Sequence, residues 1–226
     1  MKYENIVKAK FLARPNRFEA DVDLNGQIER VHVKNTGRCK ELLIKGAEVW
    51  LTAPGTPGRK TTYDLVAVRK PSTGVLFNID SQAPNKVVKE WLATQGFDKV
   101  IPEHTYGSSR IDFYMERETA QGTKRFLMEV KGCTLEIDGT GYFPDAPTER
   151  GVKHIRELIG AREAGYEAIL AFVIQMEGVN RVLAHVTTHP EFGEAMEDAR
   201  KAGVKVLFLT TKVRPDTLMI DEEIFE

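Results

Sequence analysis

The sequence predicts an α/β protein with an all-β N-terminal domain: an OB-like barrel over residues 1–82, then a mixed-sheet domain over residues 83–226. Three observations carry this. The first third holds short apolar runs separated by turn residues. At Pro84 the apolar spacing changes to that of a helix. Beyond it helices and strands alternate, and one strand is apolar throughout, as a strand buried on both faces must be.

Taken in order, Ile6–Leu12, Phe18–Leu24, Ile28–Val33, Glu48–Leu51, Tyr63–Val68 and Val75–Ile79 read as strands. Asn25-Gly26, Asn35-Thr36-Gly37 and the Pro54–Gly58 cluster punctuate them. A helical turn fits near Cys39–Leu43, and five or six short strands suit a small barrel. Pro84 opens a helix with Val87, Val88, Trp91 and Leu92 on one face, and Gly96 ends it. Strands follow at Val100–Tyr106, Arg110–Glu116 and Lys124–Lys131, then a loop rich in Gly and Pro. A second helix spans Pro147–Ala164, with Asp145 or Thr148 as its N-cap. Ala168–Ile174 is the apolar strand; Val182–Val186, a helix through Phe192–Ala199 and Val204–Leu209 complete the series.

The chain of 226 residues, 42% apolar and 29% charged, can bury a sizeable core, and this composition argues against disorder. No apolar run approaches the roughly 20 residues that span a bilayer, and Met1–Asn5 opens no signal-peptide stretch. Cys39 and Cys133 are too few for a disulfide framework. A soluble, cytoplasmic protein with no membrane partner is expected. The net charge of −1 hides a balance of +5 over residues 1–82 and −6 over 83–226. A basic front and an acidic back suit a protein that meets phosphate with one part and holds acidic ligands in the other, although solvated faces can differ by chance.

The chemistry concentrates in two strands around a turn at Thr119–Gly122. In a hairpin centred there, opposed residue numbers sum to 241, so Phe113 faces Met128, Met115 faces Phe126 and Glu116 faces Arg125. Arg117 facing Lys124 is the one awkward pair. The same register sets Asp112 opposite Glu129. Alternation puts Ile111, Phe113, Met115, Phe126, Met128 and Val130 on an apolar face, with Asp112, Glu129 and Lys131 on the other. Opposed β-carbons lie roughly 5 Å apart, so two carboxylates there can share one cation and would repel without it. Hard oxygen ligands suit Mg²⁺ or Mn²⁺. Lys131 can orient a water or neutralise a developing charge. The plainer reading is a solvated sheet face.

Asp112 with Glu129-Val130-Lys131, after a helix and a strand, resembles the PD-(D/E)XK nuclease superfamily. The whole chain is similar to something narrower, the sugar fermentation stimulation protein A family. The matching segments are Arg14–Phe18, Asn35–Arg38, Arg59–Tyr63, Pro84-Asn85, Gly107–Phe113, Glu129–Gly132, Phe143–Gly151 and Lys153-His154. The resemblance implies an OB-like domain followed by a nuclease-like one, and DNA binding with little sequence preference. It also implies a part in regulating sugar metabolism, maltose in particular. It makes Asp112 and Glu129 metal ligands and Lys131 the catalytic lysine. Ile111 stands where the superfamily pattern has Pro.

With the resemblance in hand, Arg14, Asn16, Arg17 and Arg38 are candidates for nucleic-acid contacts, although Asn16 is also a turn former, and Gly37 is read as turn chemistry. Arg150 and Lys153, three apart at a helix start, are expected to meet phosphate. Glu103 reads equally as a third metal ligand or a surface carboxylate, and Glu90 is a weaker candidate. His154 has no partner visible in sequence. Gln175 sits at a strand end where binding groups gather, and Cys133 reads as packed. The expected function is metal-dependent phosphodiester hydrolysis on DNA. The alternative is a non-specific DNA-binding regulator without essential cleavage, and a small phosphate-ester hydrolase is a third reading. DNA versus RNA, and a homodimer, are left open.

Overall fold

The computed structural model describes every residue except Thr36 and Thr56, so the parts of the two turn clusters that fall on these lie outside the described residues. The first sheet holds β1 (Ile6–Asn16), β2 (Glu19–Leu24), β3 (Gln27–Val33), β4 (Glu48–Thr52), β5 (Asp64–Arg69) and β6 (Leu76–Asn78). Its order is β3-β2-β1-β4-β5-β6, and a parallel β3–β5 pairing closes five of the strands into a ring. This is the OB-like barrel expected from the turn spacing. Closure needs one strand to serve two neighbours. Ile6–Lys10 of β1 pairs with β4 and Lys10–Asn16 with β2, through register shifts after Phe11 and Ala13 that bend it. The Cys39–Leu43 turn is present, with the Leu42 and Leu43 amides bonded to the Cys39 carbonyl.

Helix α1 (Ala83–Leu92) opens on Pro84 in its first turn, and Gly96 beyond it takes φ +65°. The second sheet comprises β7 (Lys99–Tyr106), β8 (Ser109–Thr119), β9 (Gly122–Cys133), β12 (Glu167–Ile174), β14 (Lys205–Arg214) and β15 (Thr217–Phe225), in the order β15-β14-β12-β9-β8-β7. Its centre, β9-β12-β14, is parallel and its flanks antiparallel. Every residue of β12 after Glu167 is buried, as its unbroken apolar run requires. Helix α2 (Glu149–Glu163) packs on one face with α3 (Pro190–Lys201), and α1 packs on the other. Thr148 caps α2 by accepting a hydrogen bond from the Gly151 amide at 3.0 Å.

Two expectations are corrected. The Gly- and Pro-rich stretch after β9 is a hairpin, β10 (Leu135–Ile137) and β11 (Thr140–Phe143), joined by β13 (Val182–Ala184) into a small third sheet. Asp138 and Gly139 both adopt positive φ, the turn that matches strand twist in a two-residue loop. The chain also ends in β15, an edge strand whose acidic run hides its alternation.

The barrel and the sheet are not separate bodies of apolar packing. Barrel residues such as Phe11, Val33 and Leu65 form one contiguous cluster with Ile155, Phe172 and Phe192 on the α2 side of the sheet. Across the junction Phe77 bridges Met176, the Asn78 amide bonds the Gln175 carbonyl, and Lys70 pairs with Glu136 at 2.5 Å. Among the described residues, no helix is long and apolar enough to cross a membrane.

Candidate metal centre

The β8–β9 hairpin has the expected register, from Phe113↔Met128 to Thr119↔Gly122 around a two-residue turn. Even the awkward Arg117↔Lys124 pair stands. The Arg117 guanidinium leaves the strand face, lying 4.4 Å from the Phe97 ring centroid and bonding the Gln95 carbonyl.

The regular ladder ends at Asp112. Its Oδ2 accepts the Val130 backbone N–H at 2.8 Å, and its Oδ1 accepts Asn85 Nδ2 from α1 at 2.7 Å. The side chain thus takes an amide that a strand carbonyl would otherwise bind. Alternation breaks there. Ile111 joins the α2-side core, whereas Phe113 and Met115 join the α1-side core, so the single apolar face expected for all three is corrected.

Glu129 points toward α2 and is only 2% exposed. Its Oε1 accepts from Lys131 Nζ at 2.5 Å and makes a short hydrogen bond to His154 Nδ1. Arg150 Nε donates to His154 Nε2 at 3.4 Å, which makes Nε2 the acceptor and Nδ1 the protonated nitrogen that faces Glu129. Burial raises the Glu129 pKa, but His154 and Lys131 outweigh it and hold the carboxyl below its ordinary value. Asp112 goes the other way: burial first, then the neighbouring Glu129 charge, lift it above the usual carboxylate range.

The other Glu129 oxygen, Oε2, is buried without a hydrogen-bond partner among the described residues. Such an orphan is costly, and costlier for a charged group. Two adjacent carboxylates with one unsatisfied oxygen form a hard donor set of the kind Mg²⁺ and Mn²⁺ take. The residues present therefore fit a divalent cation.

The remaining candidates divide. Glu103 is not gathered with the pair: it takes φ +53° and pairs with Arg110 in solvent. Glu90 binds the Met1 ammonium at 2.6 Å. Arg14 is committed to the loop, donating to the carbonyls of Arg17, Asn35, Gly37 and Arg38. Asn16 forms the turn, accepting the Phe18 and Glu19 amides. Arg17 and Arg38 stay exposed, and Lys40 joins them around a shallow groove. Arg150 and Lys153 are exposed on the first turns of α2, Arg150 over the His154 end of the centre. Sequence reasoning missed His154 and Asn85 as partners of the two carboxylates. The signal for His154 was a polar side chain on the buried stripe of α2, between Gly151 and Ile155.

A five-stranded OB-like barrel joined to a mixed sheet that holds a buried carboxylate pair, a lysine and a histidine defines a two-part protein class. Family models match both parts: the SfsA N-terminal OB domain over residues 12–77, and the sugar fermentation stimulation protein RE domain over residues 82–217. The sugar fermentation stimulation protein homolog of Desulfitobacterium hafniense (strain DSM 10664 / DCB-2) is 49% identical over 221 residues, covering 96% of this chain and 94% of its own. The homolog of Clostridium beijerinckii is 47% identical, covering 97% and 96%. A structure of Pyrococcus furiosus SfsA in complex with Ca²⁺ matches with a TM-score of 0.81 at 28% identity, over 99% of this chain and 96% of that one. The chain belongs to the sugar fermentation stimulation protein (SfsA) family.

Proposed function

We propose that the protein hydrolyses phosphodiester bonds in nucleic acid, DNA by its family resemblance, at a divalent-cation centre formed by Asp112, Glu129 and Lys131. The observation that carries this is the Glu129 carboxylate: sealed from solvent, clamped through Oε1 by Lys131 and His154, left among the described residues with an orphan Oε2, and close enough to Asp112 for its charge to be felt there. A scaffold has no need of that arrangement. The Ca²⁺ complex of the Pyrococcus furiosus relative supports the cation.

Asp112 and Glu129 would hold Mg²⁺ or Mn²⁺, which supplies Lewis acidity toward a phosphoryl oxygen and acidifies bound water. Glu129 is kept ionised by the Lys131 ammonium and the His154 hydrogen bond, so it is ready to bind at neutral pH. Asn85 and the Val130 amide fix the orientation of Asp112. The Lys131 ammonium stands beside Glu129, placed to orient a water or offset charge developing on the phosphate. Arg150 and Lys153 on α2, with Arg17 and Arg38 on the barrel, are the phosphate contacts of this reading.

The test is cleavage of labelled single- and double-stranded DNA and RNA with Mg²⁺ or Mn²⁺, comparing wild type with Glu129→Gln and Lys131→Ala. Metal-dependent cleavage lost in both variants is the expected outcome. Equal inertness of all three proteins, with DNA binding retained, would instead support a regulator that binds without cutting.

A further inference from the structure

Beside the metal centre lies a second cavity, which the hydrolytic reading does not use. It has a volume of about 200 Å³ and sits where the barrel meets the sheet. Asn35 and Ser81 line it from the barrel side, Gly132 and Thr134 from the end of β9, and Asp145 and Gln175 from the far side. Three of the segments that carry the family resemblance therefore converge on it: Asn35–Arg38, Glu129–Gly132 and Phe143–Gly151.

Its walls are held open by the absence of side chains. A β-carbon on Gly132 would lie 2.4 Å from Gln175 Oε1 and 2.7 Å from Pro84 Cγ. One on Gly37 would lie 2.1 Å from Asp145 Oδ2. The Gly37 amide closes a turn on Asn35 Oδ1 at 2.7 Å, as expected of turn chemistry, and the approach of a carboxylate adds a second reason for glycine there.

The lining is rich in acceptors. Gln175 directs Nε2 at Asn78 and the Asp80 carbonyl, leaving Oε1 toward Gly132. Asp145 makes no hydrogen bond or ion pair among the described residues, and it is the one charged residue of the lining. A negative wall repels phosphate. It favours a neutral group that presents N–H donors. The volume is below the roughly 300 Å³ at which pockets for drug-sized ligands begin, so a single planar ring system is the appropriate scale. Tyr142 supplies an aromatic edge to the same cavity.

We propose that this cavity is a nucleobase subsite, in which Asp145 and Gln175 accept hydrogen bonds from the amino edge of one base flanking the bond to be cut. The inference rests on the hydrolytic reading for the identity of the ligand. Its position follows from the contacts: Gly132 faces Pro84 at the start of α1, and the next residue, Asn85, holds Asp112, so the base belongs to a nucleotide near the reacting phosphate. Guanine suits it best, because its adjacent imino and amino N–H groups match the two oxygens of a carboxylate. Thymine suits it worst, since it turns carbonyls toward Asp145. A base can enter only from a single strand or an opened end. One subsite of this kind reads one position and is compatible with weak sequence preference elsewhere.

The experiment uses all-thymine single strands carrying one dG, or one inosine that lacks the amino group, at successive positions. Cleavage with Mn²⁺ and equilibrium binding by fluorescence anisotropy with Ca²⁺ are both read, for wild type and Asp145→Asn. The expected result is one adjoining bond cut about tenfold faster with dG than in the all-thymine strand, the scale of a good base contact. Inosine should recover only part of that gain, and Asp145→Asn should lose the preference while still cutting the all-thymine strand. Equal treatment of dG, inosine and thymine by wild type alone overturns the proposal, as does a preference unchanged in Asp145→Asn. If wild type cuts nothing, the hydrolytic reading falls and binding decides the subsite. Tighter binding of dG that depends on Asp145 upholds it, and equal binding of all strands overturns it.

Discussion

Glu129 concentrates the energetics of this protein in one side chain. A buried carboxylate with two partners on one oxygen and, among the described residues, none on the other is tolerable only if something completes it. Adding Ca²⁺ should therefore stabilise wild type strongly and Glu129→Gln hardly at all. At a hundredfold excess over Kd the linkage is worth about 2.7 kcal/mol, or a rise in Tm of roughly 5–10 °C for a chain of this size. Thermal melts with and without Ca²⁺ check this, and equal shifts in both proteins would remove Glu129 from the metal site. At this scale the sequence was informative but incomplete. The hairpin register alone brought Asp112 and Glu129 together. It did not show that Asp112 captures the Val130 amide, because that bond replaces a backbone contact which the period of a strand presupposes. Nor did it show His154, whose partner lies 25 residues away on another element.

Elements place these residues, and α2 does the most. It carries Arg150, Lys153 and His154 within its first two turns, all positioned by the cap at Thr148. Thr148→Ala should cost about 1 kcal/mol and lower Tm by about 2–4 °C, measurable by urea denaturation and thermal melts. Loss of cleavage beyond that expected from unfolding would show that the first turn of α2 sets the position of His154. The elements read correctly from sequence were those with strong local signals: Pro84 for α1, the apolar run of β12, the turn of the β8–β9 hairpin. The β10–β11 hairpin was obscured because Gly139, Gly141 and Pro144 suggest a loop. Asp138-Gly139 was nonetheless a hairpin signal of the ordinary kind. The acidic residues of β15 masked a strand that is exposed along most of one side.

For the whole molecule, charge is arranged across parts that share one interior. Arg17, Arg38 and Lys40 face solvent on the barrel, while Arg150 and Lys153 are exposed on α2, Arg150 against His154. If these contact duplex phosphates, the fall of log K with log[salt] should become shallower by about 0.9 for each contact removed. Titrations of Arg17→Ala, Arg38→Ala and the double variant at several salt concentrations measure it, and an unchanged slope would move the nucleic-acid surface elsewhere.

The continuous core has a practical consequence for anyone dissecting the protein. A fragment ending near residue 82 would carry Phe77 and the neighbouring apolar wall of the barrel into water, together with Lys70 deprived of Glu136. Such a fragment would be a poor stand-in for the intact barrel, and its failure to bind DNA would say nothing about where DNA binds. Point substitutions in the full chain are the sound way to apportion roles between the two halves.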